Sequence, residues 1–267
     1  MRLIIALILI TSLPVCAAQT SCQWPAWQNF KTNFISSQGR VHFLQQKQTE
    51  ITANEQAQIL FFALLANDQN TFEQAISWTE QHLAEGDLST RLPAARWGLN
   101  NEGVYTILAD QPVLTANLWL AYLLSQAGDL WHQRDYQVLS AVIAMRILRE
   151  HLQQTETAAW VFLDKPNRQF TDEQQWQTLA QTYPIFIVQY FARLYPESYW
   201  PTAYDALLAA RLEQSEPASS NHFSLFGNEQ TPFAKQSRLL WQNAQNTFDF
   251  SFNQPSRLFK GLAQCKD

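Results

Sequence analysis

Apolar residues recur every three to four positions through most of the chain, the spacing of one face of an α-helix. Gln56–Ala66 carries Ile59, Leu60, Phe62, Ala63 and Leu64 as a broad apolar face, with Thr52 as its N-cap and Glu55 as the capping-box partner. A second helix is predicted over Gln69–Leu83, after an Asn67-Asp68 turn and before Gly86. An adjacent pair follows over Leu114–Gln126 and Tyr136–His151, separated by a short stretch beginning at Gly128. Later helices are predicted over Glu173–Ala180, Ile185–Leu194, Thr202–Glu213 and Ala234–Asn246, with Pro184, Pro196 and Pro201 as breakers. Thr247–Phe252 alternates aromatic and polar residues and predicts a short closing strand. The connections Gly86–Pro112 and Glu156–Phe170 are long, and loops of that length in a compact domain are often functional. Paired antiparallel helices joined by long loops describe an all-α fold, either an α/α toroid or an irregular bundle.

The first residues break this pattern. Arg2 precedes the almost wholly apolar run Leu3–Val15, and Cys16-Ala17-Ala18 places small residues before a cleavage point. The run is shorter than the roughly 20 residues of a comfortable membrane span. Residues 1–18 therefore read as a signal peptide and 19–267 as one exported domain with no membrane insertion after cleavage. Cleavage removes Cys16 and leaves Cys22 and Cys265 at opposite ends of the chain. Export permits a single bridge between them, contributing about 4–5 kcal/mol in the chain-entropy model, with two free thiols as the alternative.

Composition narrows the functions. A net charge of -5 gives nothing to attract nucleic acid. Ten Trp, eight Tyr and seventeen Phe beside only seven Gly favour helices over a Gly-turned sandwich, and aromatics also suit sugar stacking. His42, His82, His132, His151 and His222 form no metal-ligand spacing. No P-loop, GxSxG or GxGxxG occurs, so neither a metal nor a cofactor is expected.

Longer stretches carry a resemblance. Cys22-Gln23-Trp24-Pro25-Ala26-Trp27, Gly39-Arg40-Val41, Phe61-Phe62-Ala63-Leu64-Leu65-Ala66-Asn67-Asp68, Arg91-Leu92-Pro93-Ala94 and Trp97-Gly98 follow in register. Leu118-Trp119-Leu120-Ala121-Tyr122 and Ala127-Gly128-Asp129-Leu130-Trp131 continue it. Together they resemble glycoside hydrolase family 8, particularly the periplasmic cellulases that accompany bacterial cellulose synthases. The resemblance implies an (α/α)6 barrel, here expected to be incomplete in its C-terminal half, and a β-glucan ligand. Beyond about Tyr195 the similarity is faint, and the chain is shorter than typical members.

Resembling enzymes invert at the sugar with a protonated carboxylic acid and a carboxylate base roughly 6.5–9.5 Å apart. The family's acid lies in a Thr-Ser-Glu-Gly-Gln motif. Here the segment reads Thr52-Ala53-Asn54-Glu55-Gln56, placing Asn54 at the acid and Glu55 at the glycine. An amide has no proton to give at neutral pH. Glu55 lies one residue, about 100°, around the helix, so it serves as acid only with a shifted backbone. The family's Ala-Ser-Asp-Ala-Asp becomes Val113-Leu114-Thr115-Ala116-Asn117, so Thr115 and Asn117 replace two aspartates. Tyr204-Asp205-Ala206 resembles the motif of the general base, although spacing from Tyr183 and Trp200 sets Asp205 on an earlier helix. By family position, Trp97, Tyr105 and Tyr183 are sugar-stacking candidates, with core packing as the alternative for each.

These replacements predict a catalytically impaired, family 8-like protein of the periplasm, with secretion as the alternative. It would bind β-glucan or a partner in an exopolysaccharide synthase complex. Two other readings stand beside it. One is a weakly active endo-β-1,4-glucanase with Glu55 as acid and Asp205 or another late carboxylate as base; the other is a purely structural interaction module.

Overall fold

The computed structural model describes residues 24–42, 50–156, 158–166, 173–212, 225 and 231–248. The signal-peptide residues 1–18 and both Cys22 and Cys265 lie outside them.

The helices follow the apolar periodicity closely. They are α1 (Pro25–Phe34), α2 (Ala53–Leu65), α3 (Gln69–Leu83), α4 (Leu114–Leu130), α5 (Arg134–His151), α6 (Glu173–Ala180), α7 (Ile185–Leu194), α8 (Trp200–Leu212) and α9 (Pro232–Thr247). Two helices are buried on nearly every side and are correspondingly internal. Every residue of α2 except Asn54 is buried. In α4 only Thr115, Asp129 and Leu130 escape burial. These two pack on each other, and each carries an amphipathic outer helix, α3 against α2 and α5 against α4. The turn expected at Gly128 is instead helical, because α4 continues to Leu130. Gly128 fits there because a Cβ would meet the Gln137 side chain of α5 at 2.5 Å, so its lack of a side chain lets the two helices close up.

Both long connections contain strands that the helical periodicity did not indicate. β1 (Glu50–Thr52), β2 (Ala94–Leu99) and β3 (Tyr105–Pro112) form an antiparallel sheet in that order. Thr52 pairs with Arg96 and Trp97 with Ile107. A second hairpin joins β4 (Leu152–Gln154) to β5 (Trp160–Phe162). β1 runs directly into α2, and β3 ends two residues before α4. The Leu114 N–H at the start of α4 donates to the Asp164 carbonyl just beyond β5, at 3.0 Å. Both hairpins therefore gather at the end of the molecule where α2 and α4 begin.

α1, with Pro25 in its first turn, was not anticipated from the sequence. Its Trp27 indole and Lys31 ammonium donate to the Asp68 carboxylate at 3.0 and 2.8 Å, and the same carboxylate caps α3 at Thr71. Burial opposes ionisation of Asp68, but the hydrogen bonds from Lys31, Thr71 and Trp27 prevail and hold its pKa below the usual carboxylate range. α9 returns across α1 and α2. There Phe30, Phe62 and Phe233 meet ring to ring, and the Trp24 indole donates to Asn243 Oδ1 at 2.7 Å. The closing strand expected from Thr247 begins one residue later at most. Thr247 ends α9, Phe248 is extended, and residues 249–252 lie outside the described residues.

Candidate active site

The N-termini of α2 and α4 lie side by side, and in the first turn of each helix the second residue is the one left partly open: Asn54 in α2 and Thr115 in α4. These are two of the positions to which the sequence resemblance assigns carboxylates. The neighbouring Glu55 faces the other way. At 0% exposure it forms the expected capping box: Thr52 N–H donates to Glu55 Oε2 at 3.0 Å, and Glu55 N–H donates to Thr52 Oγ1 at 3.1 Å. A third contact comes from far along the chain. The Thr231 hydroxyl, which also caps α9, donates to Glu55 Oε1 at 3.3 Å. Glu55 thus serves the starts of two helices.

Gln56, the next residue, is equally committed. Its Oε1 accepts from Val41 N–H at 3.0 Å and its Nε2 donates to Gly39 O at 3.1 Å. Gly39 has a φ of 79°, and a Cβ there would lie 2.3 Å from the Gln74 carbonyl carbon, so only glycine lets this turn seat against α3. Asn117 is fully buried one turn into α4, and its amide donates to Val113 O at 2.9 Å. The Oδ1 atoms of Asn54 and Asn117 are both buried without a hydrogen-bond donor. Beside them, Ala53, Gln56, Thr79, Pro93 and Asn117 line a cavity of about 10 Å³, room for about one water and far too little for a sugar ring.

The other candidates are dispersed. Trp97 is 8% exposed: Tyr105 stacks on one face at 4.9 Å, and its edge meets Trp78 and His82 at 5.3 and 5.2 Å. The open aromatic face of that stack belongs to Tyr105, which is 50% exposed. Tyr183 is buried against Phe162 and Trp176. Asp205 is exposed on α8, which packs on α6, α7 and β5, whereas α2 packs on α3, α4, α9, β1 and β2. Glu55 and Asp205 thus sit in different surroundings, one enclosed and one in solvent. The sequence reading missed Thr231 as a partner of Glu55. No local signal links residues 176 positions apart.

Among the described residues no helix is long and apolar enough to cross a membrane. The sequence model for glycosyl hydrolases family 8 matches residues 2–215. An endoglucanase of Salmonella typhi is 31% identical over 83% of this chain and 59% of its own length. One from Escherichia coli K12 is 31% identical over 71% of this chain and 50% of its own. The chain thus spans between half and three-fifths of these curated relatives. The endo-1,4-D-glucanase of Vibrio fischeri ES114 superposes with a TM-score of 0.60 at 31% identity, over 70% of this chain and 54% of that one. The family 8 endoglucanase Cel10 of Klebsiella pneumoniae, at 18% identity and a TM-score of 0.56, shares the fold. The helical architecture is that of the (α/α)6 toroid proteins. With four-fifths of its length matched, this chain belongs to glycoside hydrolase family 8.

Proposed function

We propose that this protein is an exported, catalytically impaired member of its family that binds β-1,4-glucan or a partner in exopolysaccharide production. One observation carries the reading. The open position at the start of α2 holds an amide, Asn54, while the carboxylate next to it in sequence, Glu55, is enclosed at 0% exposure within a capping box. A general acid must hold a transferable proton and reach the leaving oxygen. Asn54 has no such proton, and Glu55 reaches outward only by releasing the starts of α2 and α9. The Asn54 side chain, on the partly open residue of this turn, instead suits a hydrogen bond with a glucan hydroxyl. The relatives' endoglucanase activity motivates the ligand class. The apolar leader motivates a periplasmic location, next to a synthase complex that delivers the glucan.

The test is hydrolysis and binding measured on one preparation. Purified protein should release no reducing ends from carboxymethylcellulose above those released by Glu55→Gln, while cello-oligosaccharides give a saturable heat. Turnover abolished by Glu55→Gln would establish the weakly active endoglucanase instead. Neither turnover nor heat would leave only a structural module.

A further inference from the structure

Resting on that glucan-binding reading, we infer that Trp160 and Tyr199 form a sugar-stacking contact, on the corner between the β4–β5 hairpin and the start of α8. The sequence resemblance does not mark this pair. Tyr199 is 60% exposed, and Trp160 is half-buried beside it with ring centroids 5.4 Å apart and planes tilted by 43°.

Hydrogen bonds fix the backbone that carries both rings. Thr155 N–H donates to Ala159 O at 2.8 Å, and Ala159 N–H donates to Thr155 Oγ1 at 3.2 Å, which closes the hairpin immediately before Trp160. The Ser198 hydroxyl donates to Tyr195 O at 2.7 Å and accepts from Trp200 N–H at 3.2 Å, which fixes the turn bearing Tyr199. Trp200 supplies the anchor. It is fully buried against Phe162 and Phe191, so its neighbour is left standing outward. Tyr199 and Trp160 together keep aromatic surface open to water, and such a face can stack on the apolar face of a sugar ring.

Position and charge select the ligand. The pair lies on the same end of the molecule as Asn54 and Thr115, because Asp164, two residues past β5, receives the first N–H of α4. The corner therefore lies where a polymer bound across the starts of α2 and α4 can continue. A net charge of -5 disfavours anionic polymers and leaves a neutral glucan unaffected. Two rings in different planes suit successive sugars of a twisted chain better than one flat ligand.

Cellohexaose titrated calorimetrically into wild type, Tyr199→Ala and Tyr199→Phe tests the assignment. Tyr199→Ala should weaken binding about tenfold, and Tyr199→Phe, which keeps the ring face, by less than about threefold. Because Tyr199 is exposed, unchanged thermal unfolding of both variants verifies that the loss is local. Trp160→Phe should give an intermediate loss. Wild-type binding that Tyr199→Ala leaves intact overturns this contact alone and leaves the glucan reading standing. Absence of cellohexaose binding by wild type overturns both.

Discussion

The two inner helices begin side by side, yet their first turns are secured in opposite ways. α2 is closed by its own sequence: Thr52 and Glu55 satisfy each other's backbone N–H groups within four residues. α4 has no side-chain cap at Val113, and its first N–H is met by Asp164, fifty residues later. The Asp164 carbonyl is in turn held in place through Leu163, whose N–H and C=O both bond His151 at the end of α5. One end of the site is thus built from local chemistry and the other from tertiary packing. The carboxylate that makes the first end self-sufficient is the one that an acid catalyst at this place would need free.

The largest test of this contrast removes that carboxylate. Glu55→Leu leaves Thr52 N–H and the Thr231 hydroxyl without their acceptor in an enclosed setting, and should cost about 2–3 kcal/mol. Glu55→Gln retains an acceptor and should lose less. Urea unfolding of both variants measures the difference. Equal stability of Glu55→Leu and wild type would show that the double cap contributes nothing.

Local and tertiary control also explain what the sequence revealed. The α2 cap, and the limits of α3, α6 and α7, follow from periodicity and capping residues that lie within the segment itself. The β2–β3 hairpin did not show, because its burial does not alternate: Trp97 and Gly98 are both buried, and irregular register falls between Ala94 and Trp97. α1 carried a readable sign in Pro25 followed by Trp27 and Phe30 at helical spacing. In the candidate site, Asn54 and Thr115, assigned by motif, are the partly open residues of the first turns of their helices. The enclosure of Trp97 and Tyr183 depends on rings contributed by other elements. No single stretch of sequence contains it.

The second test acts on α4 through pH. Burial lowers the pKa of His151, against the opposing pull of its bond to Leu163 O and of the Glu150 and Asp164 charges. Its folded pKa therefore lies below the ordinary value of 6.5, and the unfolded chain binds the extra proton first. The stability that His151 contributes is complete above that value and falls as pH drops below it toward the folded pKa. The slope for a single proton is at most about 1.4 kcal/mol per pH unit. The difference in unfolding free energy between wild type and His151→Gln, followed from pH 7.5 to 5, should narrow as pH falls. A constant difference would show that His151 titrates alike in the folded and unfolded chains, so that its burial exerts no net pull on its proton.

The smallest effect, and the most direct comparison of the two helix starts, is to give α4 the local cap that α2 already has. Val113 holds the extended backbone of an N-cap, with φ -104° and ψ 120°, close to that of Thr52. Val113→Thr nearly preserves volume and offers an oxygen to the N–H groups of the first turn. Such a cap should add about 0.5 kcal/mol, at the lower end of cap energies because Asp164 already serves one donor. The gain should grow once His151 is protonated or replaced, since the tertiary clamp then holds α4 less firmly. A double-mutant cycle of Val113→Thr with His151→Gln reads that coupling. If the two changes are additive, Asp164 caps α4 independently of His151. If they are not, the start of α4 depends on the far end of α5, and the two sides of the candidate site differ in kind.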